Sequence, residues 1–272
     1  MNLQTKLREL SKEKKAILAA NFYNFETLHA IVSGAKAEHA SIILQLSESS
    51  IHYMGLELAA QMARTALKVS GVEGWIHLDH GGSIDLVQRC LDAGFDSVMI
   101  DASERSLEEN IKISKEVVRR AEKYGANVEA ELGYIAKLHQ SQDPAGFTQP
   151  GDAKRFTEET GVTALAVAIG SAHGFYRQEP KLNLELLGEI KAAVHTPLVL
   201  HGASGIPDEM LVSAIKKGIT KINLATETKN AFMRRLKEEL IHTDEIDLRI
   251  VFPKAIEKTR ELIQNKLKVI SY

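Results

Sequence analysis

The sequence is poor in several features that mark specialised classes of protein. Its 272 residues include one cysteine, Cys90, one tryptophan and six prolines. A single cysteine excludes an internal disulfide framework and predicts an ordinary buried thiol. The formal net charge of −2 gives the chain no general attraction for nucleic acid or an anionic membrane, so an anionic small substrate would need local capture.

Long apolar runs are also missing. No stretch approaches the length of a membrane span, and the N-terminal segment MNLQTKLRELSKEKKA is charged where a signal peptide would be apolar. We therefore expect a cytoplasmic protein with no membrane or nucleic-acid partner. With 44% hydrophobic residues the chain can bury a full core, and its length favours a single domain over residues 1–272.

Eight short aliphatic or β-branched runs alternate with amphipathic segments along the chain. We predict strands over 16–21, 41–47, 75–80, 97–101, 127–132, 164–170, 197–202 and 221–226. The segments between them have apolar residues at spacings of three and four and end in glycine, as helices do. Eight such units predict an α/β fold, a (β/α)₈ TIM barrel. Residues 228–270 predict two further helices, a C-terminal helical extension.

Three predicted strands lead into a histidine followed by glycine. These are His80 in WIHLDHG, His173 in ALAVAIGSAHG and His201 in PLVLHGASG. Because the carboxyl ends of parallel strands meet at one end of a barrel, the imidazoles should converge there. Imidazole suits zinc, and a catalytic zinc takes three protein ligands and keeps one open position. Their shared placement favours a metal site over three structural histidines. His77 is expected in the barrel interior or behind the ligands.

Carboxylates lie close to the predicted metal ligands in sequence. Asp79 directly precedes His80, which suits either a general base or a partner that orients a ligand imidazole. Glu129 and Glu131 are two residues apart and should face the same side of their strand, and Asp101 ends another strand. Carboxylates inside a barrel are costly unless they are paired or bind metal. A metal role for Glu131 or Asp101 and a satisfied buried network both fit this pattern.

The segments 201–205 and 222–226, HGASG and INLAT, end the seventh and eighth strands. TIM barrels often hold phosphate at these two strand ends, through backbone amides and hydroxyls. Gly202, Ser204 and Thr226 would allow close backbone approach and supply hydroxyl donors, and Asn223 could bind a sugar hydroxyl. The alternative is that the same residues serve only as turn formers.

Five motifs, HLDHG, VEAELG, AIGSAHG, LVLHGASG and KINLATE, resemble in order and spacing those of the class II metal-dependent ketose-bisphosphate aldolases. The resemblance spans nearly the whole chain. It implies that Asp79 is the catalytic acid/base and that His80, His173 and His201 hold one Zn²⁺ per subunit. Asp101 and Glu131 match acidic residues of an alternative metal position. The substrate-binding residues that it implies are Asn21, Gly174, Gly202, Ala203, Ser204, Asn223, Leu224, Ala225 and Thr226.

The resemblance also implies a reaction. A phosphorylated ketose is cleaved reversibly between C3 and C4 into dihydroxyacetone phosphate and an aldehyde, Asp79 takes the proton of the C4 hydroxyl, and zinc stabilises the enediolate as a Lewis acid. A monovalent cation near the phosphate belongs to the same expectation. So does a homo-oligomer, either a dimer or a tetramer.

Two departures from the family pattern concern the substrate. Ala225 stands where fructose-bisphosphate members usually have aspartate, which favours the tagatose-bisphosphate type. After VEAELG the usual GGxED, with its acid for protonating the enediolate, is replaced by YIAKLHQSQDP; Tyr134, His139, Asp143 or a water could take its place. The long polar loop 138–152 is predicted to cover the active site. Lys137 and His139 suit either an anionic aldehyde half or a solvated loop face.

Several functions remain open on these residues. The aldehyde half could be glyceraldehyde 3-phosphate, malonate semialdehyde from a deoxyketogluconate phosphate, or a sulfonated aldehyde from sulfofructose phosphate. A metal-dependent sugar-phosphate isomerase or epimerase would use the same enediolate without breaking a carbon bond. The missing acid also allows a non-catalytic barrel that stabilises a partner subunit.

Overall fold

Eight parallel strands form a closed barrel in the computed structural model, which describes residues 1–135, 146–176 and 179–271. The strands pair in chain order, and β8 closes the ring by pairing with β1. Their bounds are β1 Ile17–Asn21, β2 Ile42–Ser47, β3 Gly74–Gly81, β4 Ser97–Ile100, β5 Asn127–Leu132, β6 Ala164–Val167, β7 Leu198–Leu200 and β8 Ile219–Leu224. Each predicted run overlaps one of these strands, so the TIM barrel is confirmed.

Helices surround the barrel and extend it at both ends of the chain. Their bounds are α1 Leu3–Glu13, α2 Phe25–Ala37, α3 Glu48–Met54, α4 Leu56–Ser70, α5 Ile84–Asp92, α6 Leu107–Ala121, α7 Pro150–Thr160, α8 Leu184–Ala193, α9 Asp208–Lys216, α10 Thr226–Ile241 and α11 Leu248–Ile270. Local sequence fixes many of their starts. Asn24 and Ser106 form capping boxes with Thr27 and Glu109, and Pro150 stands in the first turn of α7.

The first helix closes the amino-terminal end of the barrel. Asn2 caps α1 by accepting the backbone amide of Thr5 at 2.9 Å. Leu3 and Leu7 are fully buried, and they pack on inward-facing side chains of five strands: Ile17, Ile43, Trp75, Ala164, Ala166 and Val199. Apolar side chains thus fill the amino-terminal end of the barrel, and the polar interior side chains lie toward the carboxyl-terminal end.

Leu7→Ala should lower the free energy of unfolding by about 2–5 kcal/mol, because it removes a buried side chain and leaves a cavity under the barrel. Urea unfolding followed by circular dichroism measures this. Glu9→Ala, on the exposed side of the same helix, is the matched control and should change stability by less than about 0.5 kcal/mol. Equal losses in the two variants would show that α1 contributes no core.

The C-terminal extension consists of α10 and α11, as predicted. Helix α11 packs across α2, and Gly34 allows the close approach, since a Cβ there would lie 2.9 Å from Ile263 Cγ2. Ile263, Leu267 and Ile270 join the main hydrophobic core through this contact. Among the described residues, none of the helices combines the length and hydropathy needed to cross a membrane.

Candidate functional site

Polar side chains occupy the barrel interior toward the carboxyl ends of the strands. Because side chains alternate along a strand, residues two apart face the same way. The inward pairs are His77 and Asp79 on β3, Glu129 and Glu131 on β5, and Lys221 and Asn223 on β8, and all six are buried. The fold thus concentrates charge where the catalytic face of a TIM barrel lies.

Four side chains form a group that could hold a metal ion. His80, Glu131, His173 and His201 each offer one ligand atom, and these atoms all lie within 4.8 Å of one another. The ring centroid of His80 lies 4.9 Å from that of His173 and 4.7 Å from that of His201. The structure therefore brings together the three histidines expected from sequence, and of the two acidic candidates it brings Glu131 into the same group.

Close packing explains why a glycine follows two of these histidines, and a Cβ at Gly81, after His80, would lie 2.6 Å from the carbonyl oxygen of Met99. His80 itself has a φ of +52°, a left-handed conformation that costs a non-glycine residue about 1–3 kcal/mol. Gly202, after His201, has a φ of +65°, and a Cβ there would lie 2.3 Å from the carbonyl oxygen of Ala172. The loop that carries His173 thus packs directly on the turn after His201, and only glycine permits it.

The donor set fits a cation. His201 Nδ1 and Glu131 Oε2 lie 3.2 Å apart, both are buried, and neither has a hydrogen-bond partner among the described residues. Burial disfavours charge on His201, but Glu129 and Glu131 outweigh it and raise its pKa to about 10. The place where these side chains meet therefore attracts positive charge, and a divalent ion would satisfy both orphaned atoms.

The other two histidines differ in their surroundings. Burial, together with the positive charge of His80 and His201, lowers the pKa of His173 to about 3, so its imidazole is neutral and available as a ligand. His80 Nδ1 lies 2.7 Å from Asp101 Oδ2, which leaves Nε2 for the site. Asp101 Oδ1 accepts the hydroxyl of Ser103 at 2.7 Å. Asp101 thus contacts His80 from behind and does not join the four-residue group.

Asp79 is held in place by two amides. Asn21 Nδ2 donates to one carboxylate oxygen at 2.8 Å and Asn223 Nδ2 to the other at 3.2 Å, while Gln45 Nε2 fixes the Asn21 carbonyl at 2.9 Å. Burial opposes ionisation of Asp79, but the charges of His80, His201 and Lys221 and the bond from Asn21 lower its pKa to about 2. The carboxylate is therefore ionised and rigid at neutral pH.

The turn after β7 and the start of α10 lie side by side. Ser204 Oγ accepts the backbone amide of Glu227 at 3.2 Å, and Glu227 Oε1 accepts that of Gly205 at 2.5 Å. Ala225, before the first residue of α10, provides no side-chain cap. The Tyr176 hydroxyl accepts the amide of Ala172 and donates to the carbonyl of Gly202, joining the two loops. The loops that carry His173 and His201 are thus joined to each other and to the start of α10.

Sequence reasoning missed the contacts beneath the histidines. Glu129 binds His201 and Lys221, although its spacing from Glu131 already placed it inside the barrel. Lys221 lies two residues before Asn223 on β8, so the alternation of side chains along a strand could have predicted that Lys221 also faces the barrel interior. Lys137, His139 and Asp143 lie outside the described residues. Tyr134 lies within them, and its backbone amide donates to Gly146 at 2.7 Å.

Comparisons with known proteins agree with these motifs. The family model described as fructose-bisphosphate aldolase class-II matches residues 1–272. A fructose-bisphosphate aldolase of Helicobacter pylori is 34% identical over 294 aligned positions, which cover 97% of this chain and 95% of that protein. The crystal structure of the YdjI aldolase from Escherichia coli K12 superposes with a TM-score of 0.89 at 32% identity, covering 99% of this chain and 96% of the other. A Campylobacter jejuni fructose-bisphosphate aldolase, at 21% identity and a TM-score of 0.85, shares the fold.

Proposed function

The chain belongs to the class-II fructose-bisphosphate aldolase family and is a carbon–carbon lyase, and from that premise we propose that it cleaves a phosphorylated ketose reversibly into dihydroxyacetone phosphate and an aldehyde. The observation that carries the proposal is the position of Asp79. An ionised carboxylate, fixed by Asn21 and Asn223, directly precedes His80 of the histidine group. Aldol cleavage needs such a base to take the proton of the C4 hydroxyl.

We assign the metal to His80, His173 and His201, with Glu131 as a further or alternative ligand. When bound, a divalent cation would supply the Lewis acid that stabilises the negative charge of an enediolate. Zn²⁺ is our choice because three imidazoles suit it, and one ion per subunit fits the four-residue group. Asp101 is then a residue that orients His80 through Nδ1, since it lies behind the ring.

The phosphate of dihydroxyacetone phosphate is proposed to bind between the β6 and β7 loops and α10. Ala225 gives no side-chain cap and Ser204 takes only the amide of Glu227, so the first turn of α10, from Thr226, offers its other backbone amides and the positive end of a helix dipole. Tyr176 joins the loop that contains Gly174 to the turn from Gly202 through Ala203 to Ser204, Ser204 contacts α10 at Glu227, and β8 ends at Leu224 just before this helix. A monovalent cation near the phosphate belongs to this proposal. Binding here would orient the reacting carbons above Asp79.

The aldehyde half is the open part of the substrate. Relatives are named fructose-bisphosphate aldolases, whereas Ala225 lacks the carboxylate usual at this position and favours a tagatose-bisphosphate-type substrate. The loop after β5 lacks the usual acid, so deoxyketogluconate phosphate and sulfofructose phosphate are the next candidates. Among the residues that could replace the missing acid, Tyr134 is the one that lies within the described part of the chain. We further propose a cytoplasmic homo-oligomer of one domain per chain.

The test is condensation by the Zn²⁺-loaded enzyme. Dihydroxyacetone phosphate is incubated with glyceraldehyde 3-phosphate, malonate semialdehyde or a sulfonated three-carbon aldehyde, and the product is identified by mass spectrometry and by its C3–C4 stereochemistry. We expect a new carbon–carbon bond with at least one of these aldehydes. If every aldehyde is returned unchanged while sugar phosphates isomerise or epimerise, the barrel is an isomerase; if nothing turns over, it is a non-catalytic barrel.

A further inference from the structure

A buried ion pair lies directly beneath the candidate metal site. Lys221 Nζ donates to Glu129 Oε2 at 2.8 Å, and both side chains are essentially inaccessible, at 1% and 0% exposure. Buried charges are expensive even when they are paired, and an apolar pair of similar size would often be more stable. Both groups lie two residues deeper in the barrel than Glu131 and Asn223 on the same strands. The pair therefore calls for an explanation other than stability.

The second oxygen of Glu129 contacts a candidate metal ligand. Glu129 Oε1 lies 2.8 Å from His201 Nε2, while His201 Nδ1 points to Glu131 Oε2 on the other side of the ring. Without a metal the ring holds a proton on each nitrogen, but once a cation replaces one of them the imidazole is neutral and carries a single proton, which a carboxylate can only accept. The contact with Glu129 thus places the proton on Nε2 and leaves the Nδ1 lone pair for a cation.

His80 has the opposite arrangement. Its Nδ1 contacts Asp101 Oδ2 at 2.7 Å, so the nitrogen left for the site is Nε2. The two rings must therefore present different nitrogens to one ion. Free imidazole interconverts between the two tautomers, so each ring needs its own carboxylate to select the correct one.

Lys221 determines which polar atom residue 129 must turn toward it. Its Nζ lies 2.8 Å from Glu129 Oε2 and 3.4 Å from His77 Nε2, and His77 Nδ1 is 2.7 Å from Ser97 Oγ. With its cation fixed in this way, Lys221 requires an oxygen from residue 129. Glutamate supplies one oxygen to Lys221 and another to His201, which no amide can do.

We propose that Glu129, held by Lys221, is a positioning residue that directs Nδ1 of His201 at the metal. The inference rests on the proposed function only in taking this site to be the one that binds Zn²⁺. It predicts an unusual result for Glu129→Gln. The amide oxygen will turn to Lys221, the amide N–H₂ will donate to His201 Nε2, and the imidazole proton will move to Nδ1, where it blocks the metal.

The experiment measures Zn²⁺ affinity by competition with a chelator and the visible spectrum of the Co²⁺-substituted protein. Glu129→Gln should weaken metal binding about 10–100-fold and alter the Co²⁺ bands. The double variant Glu129→Gln/Lys221→Met should recover much of that affinity, because without the cation the amide can turn its oxygen back to His201. Ser97→Ala, a change in the same buried network that does not touch His201, is the matched control and should leave the affinity unchanged.

A measurement on the unmodified chain keeps the proposal testable if the variants do not fold. Long-range ¹H–¹⁵N spectra of the Zn²⁺-loaded protein, labelled in its histidine rings, should show His201 bound through Nδ1 and His80 through Nε2. Ligation of His201 through Nε2 would overturn the inference, as would equal Zn²⁺ affinities for Glu129→Gln and the wild type. If the wild-type chain takes up no divalent metal at all, the proposed function fails as well.

Discussion

Asp79→Asn is expected to lower kcat for cleavage about 10²–10⁴-fold while the bound metal stays in place. The amide keeps the size of the side chain and one acceptor for Asn21 or Asn223, but it cannot take a proton. Since the carboxylate is ionised in the folded protein, its loss removes the base itself. Steady-state kinetics with the ketose identified by condensation, together with the zinc content of the purified variant, measure both effects.

The matched comparison is Asp101→Asn. Both aspartates lie beside His80, but Asp101 contacts the ring from behind through Nδ1. We expect Asp101→Asn to weaken metal binding and to regain most of its kcat at saturating Zn²⁺, because the base remains. If Asp79→Asn behaves in the same way, losing metal and recovering with excess Zn²⁺, then Asp79 is only an orienting group.

Proton exchange separates the two halves of the reaction. Dihydroxyacetone phosphate has no C4 hydroxyl, so a base that serves only that hydroxyl is not needed to exchange its C3 proton with solvent. Asp79→Asn should therefore keep exchange at C3, followed by NMR in D₂O, while it loses cleavage. Loss of both would place Asp79 at C3 as well as C4.

Periodicity predicted the barrel because each strand is a short buried run followed by a turn. The predicted bounds differ where the chain leaves the sheet early: the run 164–170 forms a strand only to Val167, since the amide and carbonyl of Ala168 bond to Thr148. The helix α1 was not predicted, although Leu3, Leu7 and Leu10 have helical spacing. Its function depends on which strands present apolar side chains at the bottom of the barrel, and that is a tertiary property.

The sequence predicted which residues form the site better than it predicted how they are arranged. Strand ends alone indicated that His80, His173 and His201 would converge, because parallel strands bring their ends together. Whether Glu131 or Asp101 joined them depended on strand register and on the left-handed backbone at His80, which a single sequence does not specify. The nitrogen that each ring presents depends on partners 21 and 72 residues away in sequence.

Removal of the metal is the second change from which we expect a large effect, and His173→Ala is the variant that isolates it. Among the described residues, the His173 ring contacts His80 and His201 but makes no hydrogen bond, so its loss orphans no buried partner. His201→Ala, in contrast, would leave Glu129 and Lys221 without their neighbour. A loss of function in His173→Ala can therefore be attributed to the metal site and not to the buried network.

We expect purified His173→Ala to contain less than one zinc per chain and to lose at least about 10³-fold in kcat, since a Lewis acid contributes several kcal/mol to an enediolate-forming step. Exhaustive chelation of the wild type should give a similar loss, reversed by added Zn²⁺. His195→Ala, an exposed histidine away from the site, is the control and should keep both metal and activity. The readouts are zinc content by atomic emission, kcat, and the rise in melting temperature on adding Zn²⁺, which only proteins that bind it in the native state show. Full activity in a chelated, zinc-free wild type would refute the assignment, because three convergent imidazoles would then have no part in the chemistry.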